Sequence, residues 1–170
     1  MPRKLLLLIP AIILVAACSK PAQTNQNANQ SAAAPPQATS TDQAPADTPL
    51  MSAVKSGKAE EVKQLLDSNV PVDAATADGV TPLMNAAGMG NKEMVQMLIA
   101  KGANVNAKSN GNYTVLMSAA LTGQLEIIKV LLDAGADPKV KDIGGKTAAR
   151  YAEEKSHKEI VALLKQRGGA

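Results

Sequence analysis

An all-α repeat solenoid of about four units is the architecture that this sequence predicts, on three observations. A threonine returns every 33 residues, at Thr48, Thr81, Thr114 and Thr147. Glycine follows in phase at Gly57, Gly90 and Gly123. Apolar side chains share the period at Leu50, Leu83 and Leu116, at Val62, Val95, Ile128 and Val161, and at Leu65, Leu98, Leu131 and Leu164. A period this strict means copies of one supersecondary unit, none of which can bury its apolar face without neighbours. Stacked units present a long side surface suited to gripping a partner, so the repeat argues for binding ahead of catalysis.

The repeats start at residue 48, and what precedes them reads differently. Met1 to Lys4 carry two positive charges, and Leu5 to Ala17 form an apolar run of thirteen residues containing Pro10. As a helix the run covers roughly 20 Å, short of the ~30 Å hydrocarbon core of a bilayer. Residues 1–17 therefore read as an export signal and not as a permanent span, and no later segment is apolar enough to cross a membrane. The signal ends in Val15-Ala16-Ala17-Cys18, which resembles the lipobox of bacterial lipoproteins. That resemblance implies a diacylglycerol on the Cys18 thiol, cleavage before it, and an acylated new N-terminus. Several acyl chains at about 0.8 kcal/mol per buried methylene would anchor the protein firmly. Ser19, where an Asp would retain a lipoprotein at the inner membrane, resembles the signal for the outer membrane. Ordinary secretion with an incidental Cys18 is the alternative. As the sole cysteine, Cys18 leaves no disulfide framework, so folding rests on packing.

Residues 18–47 follow as a tether. Ser19 to Asp47 is dominated by Ala, Gln, Pro, Asn, Ser and Thr, with three charges and no aromatic side chain. Such a segment has too little apolar area to offset its ordering entropy, and would span roughly 30 Å as a flexible chain. Arg3 and Lys4 leave with the signal, so 16 basic and 15 acidic side chains remain. The basic isoelectric point therefore carries no argument for nucleic acid, and export makes that partner an unsuitable one.

Within the repeat domain, residues 48–170, the units fall near 48–75, 76–108, 109–141 and 142–170. The second shows the design. Asp78-Gly79 signals a turn, Thr81 an N-cap and Pro82 the first helical residue. Leu83, Ala86 and Ala87 form one side of a short helix ending near Gly88 and Gly90. Glu93 then opens a second helix carrying Val95, Leu98 and Ile99, which stops at Gly102. Ala103 to Asn106 is expected to run extended towards the next turn. The third unit repeats the scheme with Leu116, Ala119, Ala120, Gly123, Ile128, Leu131, Leu132 and Gly135. In the first and fourth, Lys55, Lys58, Glu60, Glu61 and Lys63, and Arg150, Glu153, Glu154, Lys155, Lys158, Lys165 and Arg167, supply the polar outer faces that end units need.

Asp78-Gly79-Val80-Thr81-Pro82-Leu83-Met84-Asn85-Ala86-Ala87 resembles the ankyrin-repeat signature, including its order of turn and two helices. Lys101 to Ala107 and Asp133 to Asp137 resemble its helix-ending turn. The likeness covers residues 48–170 and implies a helix-turn-helix plus a β-turn finger loop in each unit. Some positions depart from the signature. The family's His after Leu is replaced by Met51, Met84, Met117 and Arg150, which removes its hydrogen bond to neighbouring turns. Asn112 stands where the turn glycine is expected and Val115 where Pro is, which should weaken that turn.

Candidate chemistry is sparse. The single histidine, His157, sits where the family often starts its second helix, and reads as structural. Glu153-Glu154 and the Asp133/Asp137 pair read as solvated carboxylates lacking a pocket to shift their pKa. Gly88-Met89-Gly90-Asn91 reads as the turn between paired helices, since no strand precedes it and no dinucleotide signature follows. Met51, Met84 and Met117 form a column whose spacing of about 8–10 Å is too wide to share one metal ion. Met84, Met94 and Met97 read as core. No catalysis, cofactor, metal or small-molecule substrate is expected.

The resemblance instead implies a protein partner gripped on the concave side by turn tips and first helices. By position it selects Ala77, Asp78, Val80 and Met89 in the second unit, and Lys108, Asn110, Tyr113, Leu121 and Thr122 in the third. In the fourth it selects Lys141, Ile143, Lys146 and Glu153. Tyr113, Met89, Leu121 and Ile143 are apolar or aromatic where solubility alone would favour polar residues, and Tyr113 is the expected hot spot. The alternative is that these side chains pack tip against tip. The function expected is a lipid-anchored binding module facing the periplasm. Its variants are an inhibitor or immunity protein for a periplasmic toxin or cell-wall enzyme, and a structural spacer between membrane and peptidoglycan.

Overall fold

In the computed structural model the described residues are 47–168, and they form eight helices in four pairs. The pairs are α1 (Pro49–Lys55) with α2 (Ala59–Asp67), α3 (Pro82–Gly88) with α4 (Lys92–Ala100), α5 (Val115–Thr122) with α6 (Leu125–Asp133), and α7 (Ala148–Glu154) with α8 (Lys158–Gln166). The signal, Cys18 and the tether up to residue 46 lie outside the described residues.

Each periodic threonine caps a first helix. The hydroxyls of Thr48, Thr81, Thr114 and Thr147 accept hydrogen bonds from the backbone N–H of Met51, Met84, Met117 and Arg150, at 3.2–3.4 Å. This fills one of the donors that a helix start leaves open. Among the second helices, Asn91 alone supplies a side-chain cap, accepting from Met94 N at 3.0 Å.

First helices pack side by side, α1 on α3, α3 on α5 and α5 on α7, while the second helices form a parallel layer behind them. One continuous core runs between the layers, built from Leu83, Leu98, Leu116, Ile128 and Leu131, with Met51, Met94 and Met117 also fully enclosed. Burial follows the expected columns, with two departures at the ends of the stack. Leu65 and Val161 are only half-buried, whereas their equivalents in the two middle repeats are enclosed. An end unit meets one packed neighbour instead of two.

The methionine column is thus core, and Met51 takes up a role of its own. Its sulfur accepts from Asn85 Nδ2 of the next repeat at 2.9 Å. His157 is structural in a specific way. Its imidazole lies over Gly123, whose backbone is left-handed at φ 79°, and a Cβ there would come within 2.6 Å of His157 Cε1.

One local expectation is corrected. Ala103 to Asn106 does not run extended, because Asn104 folds the chain into a turn. Its side chain accepts from Asn106 N at 2.9 Å and its carbonyl from Ala107 N at 3.2 Å. Asparagine favours this local bond to a backbone N–H two residues on. The turn also joins repeats, since Asp73 accepts from Asn104 N and Asn106 Oδ1 from Asp137 N, at 2.8–3.1 Å.

Candidate functional site: the finger tips and first-helix layer

Three finger loops are built on one plan. In the second repeat Thr76 N donates to Val80 O, Gly79 N to Thr76 O, and Val80 N to the Thr76 hydroxyl. In the third, Ser109 N donates to Tyr113 O, Asn112 N to Ser109 O, and Tyr113 N to the Ser109 hydroxyl. In the fourth, Asp142 N donates to Lys146 O, Gly145 N to Asp142 O, and Lys146 N to the Asp142 carboxylate. Thr76, Ser109 and Asp142 are 33 residues apart, and each supplies a short oxygen acceptor that closes its loop. Sequence reasoning missed this column; the recurrence of small oxygen-bearing residues before each tip was the available signal.

The tips are joined to one another. Asn110 N donates to Asp78 O and Asn110 Nδ2 to Ala77 O, both at 2.9 Å, which ties the second finger to the third. Ile143 N donates to Gly111 O at 3.0 Å and ties the third to the fourth. These bonds fix the relative height of successive tips, so side chains along them keep their register.

The selected side chains divide accordingly. Ala77, Asp78, Lys108, Asn110, Thr122, Lys141, Met89 and Ile143 are exposed. Ile143, at 82%, and Met89, at 50%, are the exposed large apolar side chains of the described residues. Val80, Tyr113, Leu121, Lys146 and Glu153 are half-buried. Thr122 spends its hydroxyl on the helix, donating to Ser118 O at 3.0 Å.

Tyr113 does pack against another aromatic ring. It meets Tyr151 edge to face, with centroids 5.5 Å apart and planes at 84°. Tyr151 was not among the selected residues, yet it organises this end of the surface. Its hydroxyl donates to Asp142 Oδ2 at 2.5 Å, and Lys146 Nζ lies 5.5 Å from its ring centre. The hydrogen bond pushes the Tyr151 phenol up to about 12 and holds the Asp142 carboxyl below its ordinary value. Burial, and then the Asp142 charge, raise Tyr113.

Glu153 and Glu154 belong to an ion-pair network at the C-terminal end of α7. Lys165 bonds Glu153 at 2.8 Å, Lys146 bonds Glu154 at 2.9 Å, and Arg150 reaches both carboxylates. Lys165, then Arg150, hold Glu153 below the usual carboxylate range. Exposed pairs of this kind contribute about 0–1 kcal/mol each, so the network shapes the surface more than it stabilises the fold. The ion pair between Asp47 and Lys55, at 2.7 Å, marks the opposite end of the first-helix layer. Between these two ends lie Val80, Asn85, Gly88, Met89, Tyr113, Ser118, Leu121 and Thr122, all uncharged.

Among the described residues no three His, Cys, Asp or Glu side chains converge on a point that could hold a metal ion. The arrangement is chemically suited to contact: first helices α3 and α5 without a charged side chain, beside fixed fingers that expose Asp78, Lys108 and Lys141.

A family model described as ankyrin repeats (3 copies) matches residues 14–109, 50–142 and 108–170. No curated protein matches the chain. Taken with four helix pairs stacked in register, these overlapping matches establish that the chain belongs to the ankyrin-repeat family, whose repeats generally mediate protein–protein interaction.

Proposed function

We propose that this protein is a lipid-anchored binding module that faces the periplasm and grips a protein partner with its finger tips and first-helix layer. One observation carries the reading of the face. Of the large apolar side chains left exposed, Ile143 sits on a finger and Met89 caps the C-terminus of the first helix α3, while the second-helix layer exposes mainly charges. A solvated apolar side chain at a tip gains from being covered, by about 25 cal/mol per Å² of apolar area removed from water. Tyr113, half-buried against Tyr151, adds a pre-oriented ring, and a rigid aromatic loses little side-chain freedom on binding.

The anchoring part rests on the sequence. A charged start, a thirteen-residue apolar run and Val15-Ala16-Ala17-Cys18 support export and acylation at Cys18, and Ser19 supports the outer membrane. The tether then gives the repeat domain reach above the membrane.

The two parts are tested separately. A Cys18→Ser variant is expected to lose incorporation of labelled palmitate and to leave the membrane fraction; unchanged membrane retention would refute the anchor. For the face, the full chain bearing an affinity tag is used to recover partners from envelope extract. Recovery is expected to fall at least several-fold with Leu121→Asp or Ile143→Asp while a Gln96→Asp control behaves as wild type. Equal recovery by all three would remove the proposed face. Retention on purified peptidoglycan without any protein would favour the structural-spacer role instead.

A further inference from the structure

We infer that Asn110 is a site of spontaneous deamidation, and that the reaction unclasps the finger tips of the second, third and fourth repeats. Seven asparagines lie among the described residues, and Asn110 is the one followed by glycine. Gly111 has no side chain to obstruct attack by its nitrogen, and that nitrogen donates no backbone hydrogen bond among the described residues. Asn110 is exposed, so solvent base and water both reach it.

The chemistry balances with water alone. The Gly111 nitrogen gives its proton to solvent base and attacks Asn110 Cγ. A new C–N bond closes a five-membered imide, the bond to the side-chain nitrogen breaks, and ammonia leaves. Water then opens the imide at one carbonyl or the other, giving aspartate or its isomer linked through the side-chain carbon.

What makes this position consequential is that both tip junctions meet in one dipeptide. Asn110 binds backward, through its N–H to Asp78 O and its amide to Ala77 O. Gly111 binds forward, its carbonyl accepting from Ile143 N. Deamidation replaces the Asn110 amide donor, 2.9 Å from the Ala77 carbonyl, by a carboxylate that can only accept. Attraction becomes repulsion, and the new charge stands beside exposed Asp78. The isomerised product also lengthens the backbone by one carbon, which shifts Gly111 O out of register with Ile143 N. The change therefore remodels the tips without touching the core.

The test ages the full chain in mildly alkaline buffer and maps its peptides by mass, with enzymatic isoaspartate detection. Conversion at Asn110 is expected to run several-fold faster than at Asn112, which precedes a tyrosine, or at Asn106. Gly111→Ala serves as the control, because a Cβ there meets only Ile143 Cδ1, at 3.9 Å, and no positive φ is required. It is expected to slow the reaction several-fold. Conversion no faster than at Asn112, or unaffected by Gly111→Ala, overturns the site. An Asn110→Asp variant reads the consequence separately. Amide exchange should rise several-fold at residue 110 in that variant, and at residue 143 in the isoaspartate form isolated from the aged chain, with Leu98 and Leu131 unchanged in both. Unaltered protection at both tip amides overturns the unclasping.

Discussion

The fingers of the second and third repeats make the same turn with different residues at the same place. Gly79 takes a left-handed backbone at φ 76°, and Asn112, one period later, does so at φ 56°. The difference lies in what presses on each. A Cβ on Gly79 would stand 3.0 Å from Ser109 Cα and 3.1 Å from Asn110 N, so the third finger's backbone occupies the space a side chain would need. Asn112 carries a full side chain and remains exposed. Glycine is thus demanded where the next finger closes in, and only preferred where it does not. Asparagine is among the residues best able to take the left-handed region, which is why the third turn survives the exchange.

Between the helices of a pair the same contrast recurs: a Cβ on Gly90 or Gly123 would come within 3.0 Å of the Gln124 or His157 side chain, whereas Gly57 in the first repeat has nothing within 4 Å and Ser156 in the last holds φ 60° while exposed. The left-handed dihedral is common to all of these positions, and contact with the following unit adds a steric demand only at Gly79, Gly90 and Gly123.

The largest expected effect comes from breaking that rule. Gly79→Ala adds a backbone clash to an unfavourable dihedral, and about 2 kcal/mol or more of stability should be lost in urea unfolding. Gly145→Ala faces the dihedral alone, since nothing lies within 4 Å of its Cβ position. Its cost should be about 1 kcal/mol. Equal losses at the two sites would show that contact with the next finger contributes nothing.

Asn110→Ala removes one exposed hydrogen bond between the same two fingers, and about 0.5–1 kcal/mol is the expected loss in the same assay. Tyr151→Phe probes the far end of the surface through pH. The Tyr151 hydroxyl, and after it the Lys146 N–H, hold the Asp142 carboxyl low in the folded state. The unfolded chain therefore takes up this proton first on acidification. The stabilisation is present above the ordinary carboxylate range and is lost as pH falls through the folded value. Urea midpoints measured down to about pH 3 should fall less steeply in Tyr151→Phe than in the wild type. An unchanged slope would contradict the coupling. Smallest of all, Asn112→Gly relaxes the left-handed turn while loosening the unfolded chain, and a net change within about 0.5 kcal/mol is expected.

Most of the fold was legible because its signals are local and periodic. Thr48, Thr81, Thr114 and Thr147 announced four helix starts, and each does cap one. Pro82 and the paired glycines placed the turns. The proposed docking face was legible only by position. Ile143 on the fourth finger and Met89 at the end of α3 are exposed as their places suggested, but Tyr113 proved half-buried. Its partner Tyr151 is 38 residues away, off the 33-residue period, so no repeat alignment brings the two rings together. The acceptor column Thr76, Ser109 and Asp142 was periodic yet disguised, because three residue types perform one task. Such contacts depend on the rise from one repeat to the next, which a linear pattern does not carry.

The central claim is that partners dock on the finger and first-helix side. Its most direct test places a photocrosslinking amino acid in the full chain at position 89, 143 or 96, the last on the exposed face of α4, and irradiates each in envelope extract. The account predicts a common adduct from positions 89 and 143 and none from position 96. An adduct from position 96 alone, or equally from all three, would contradict it.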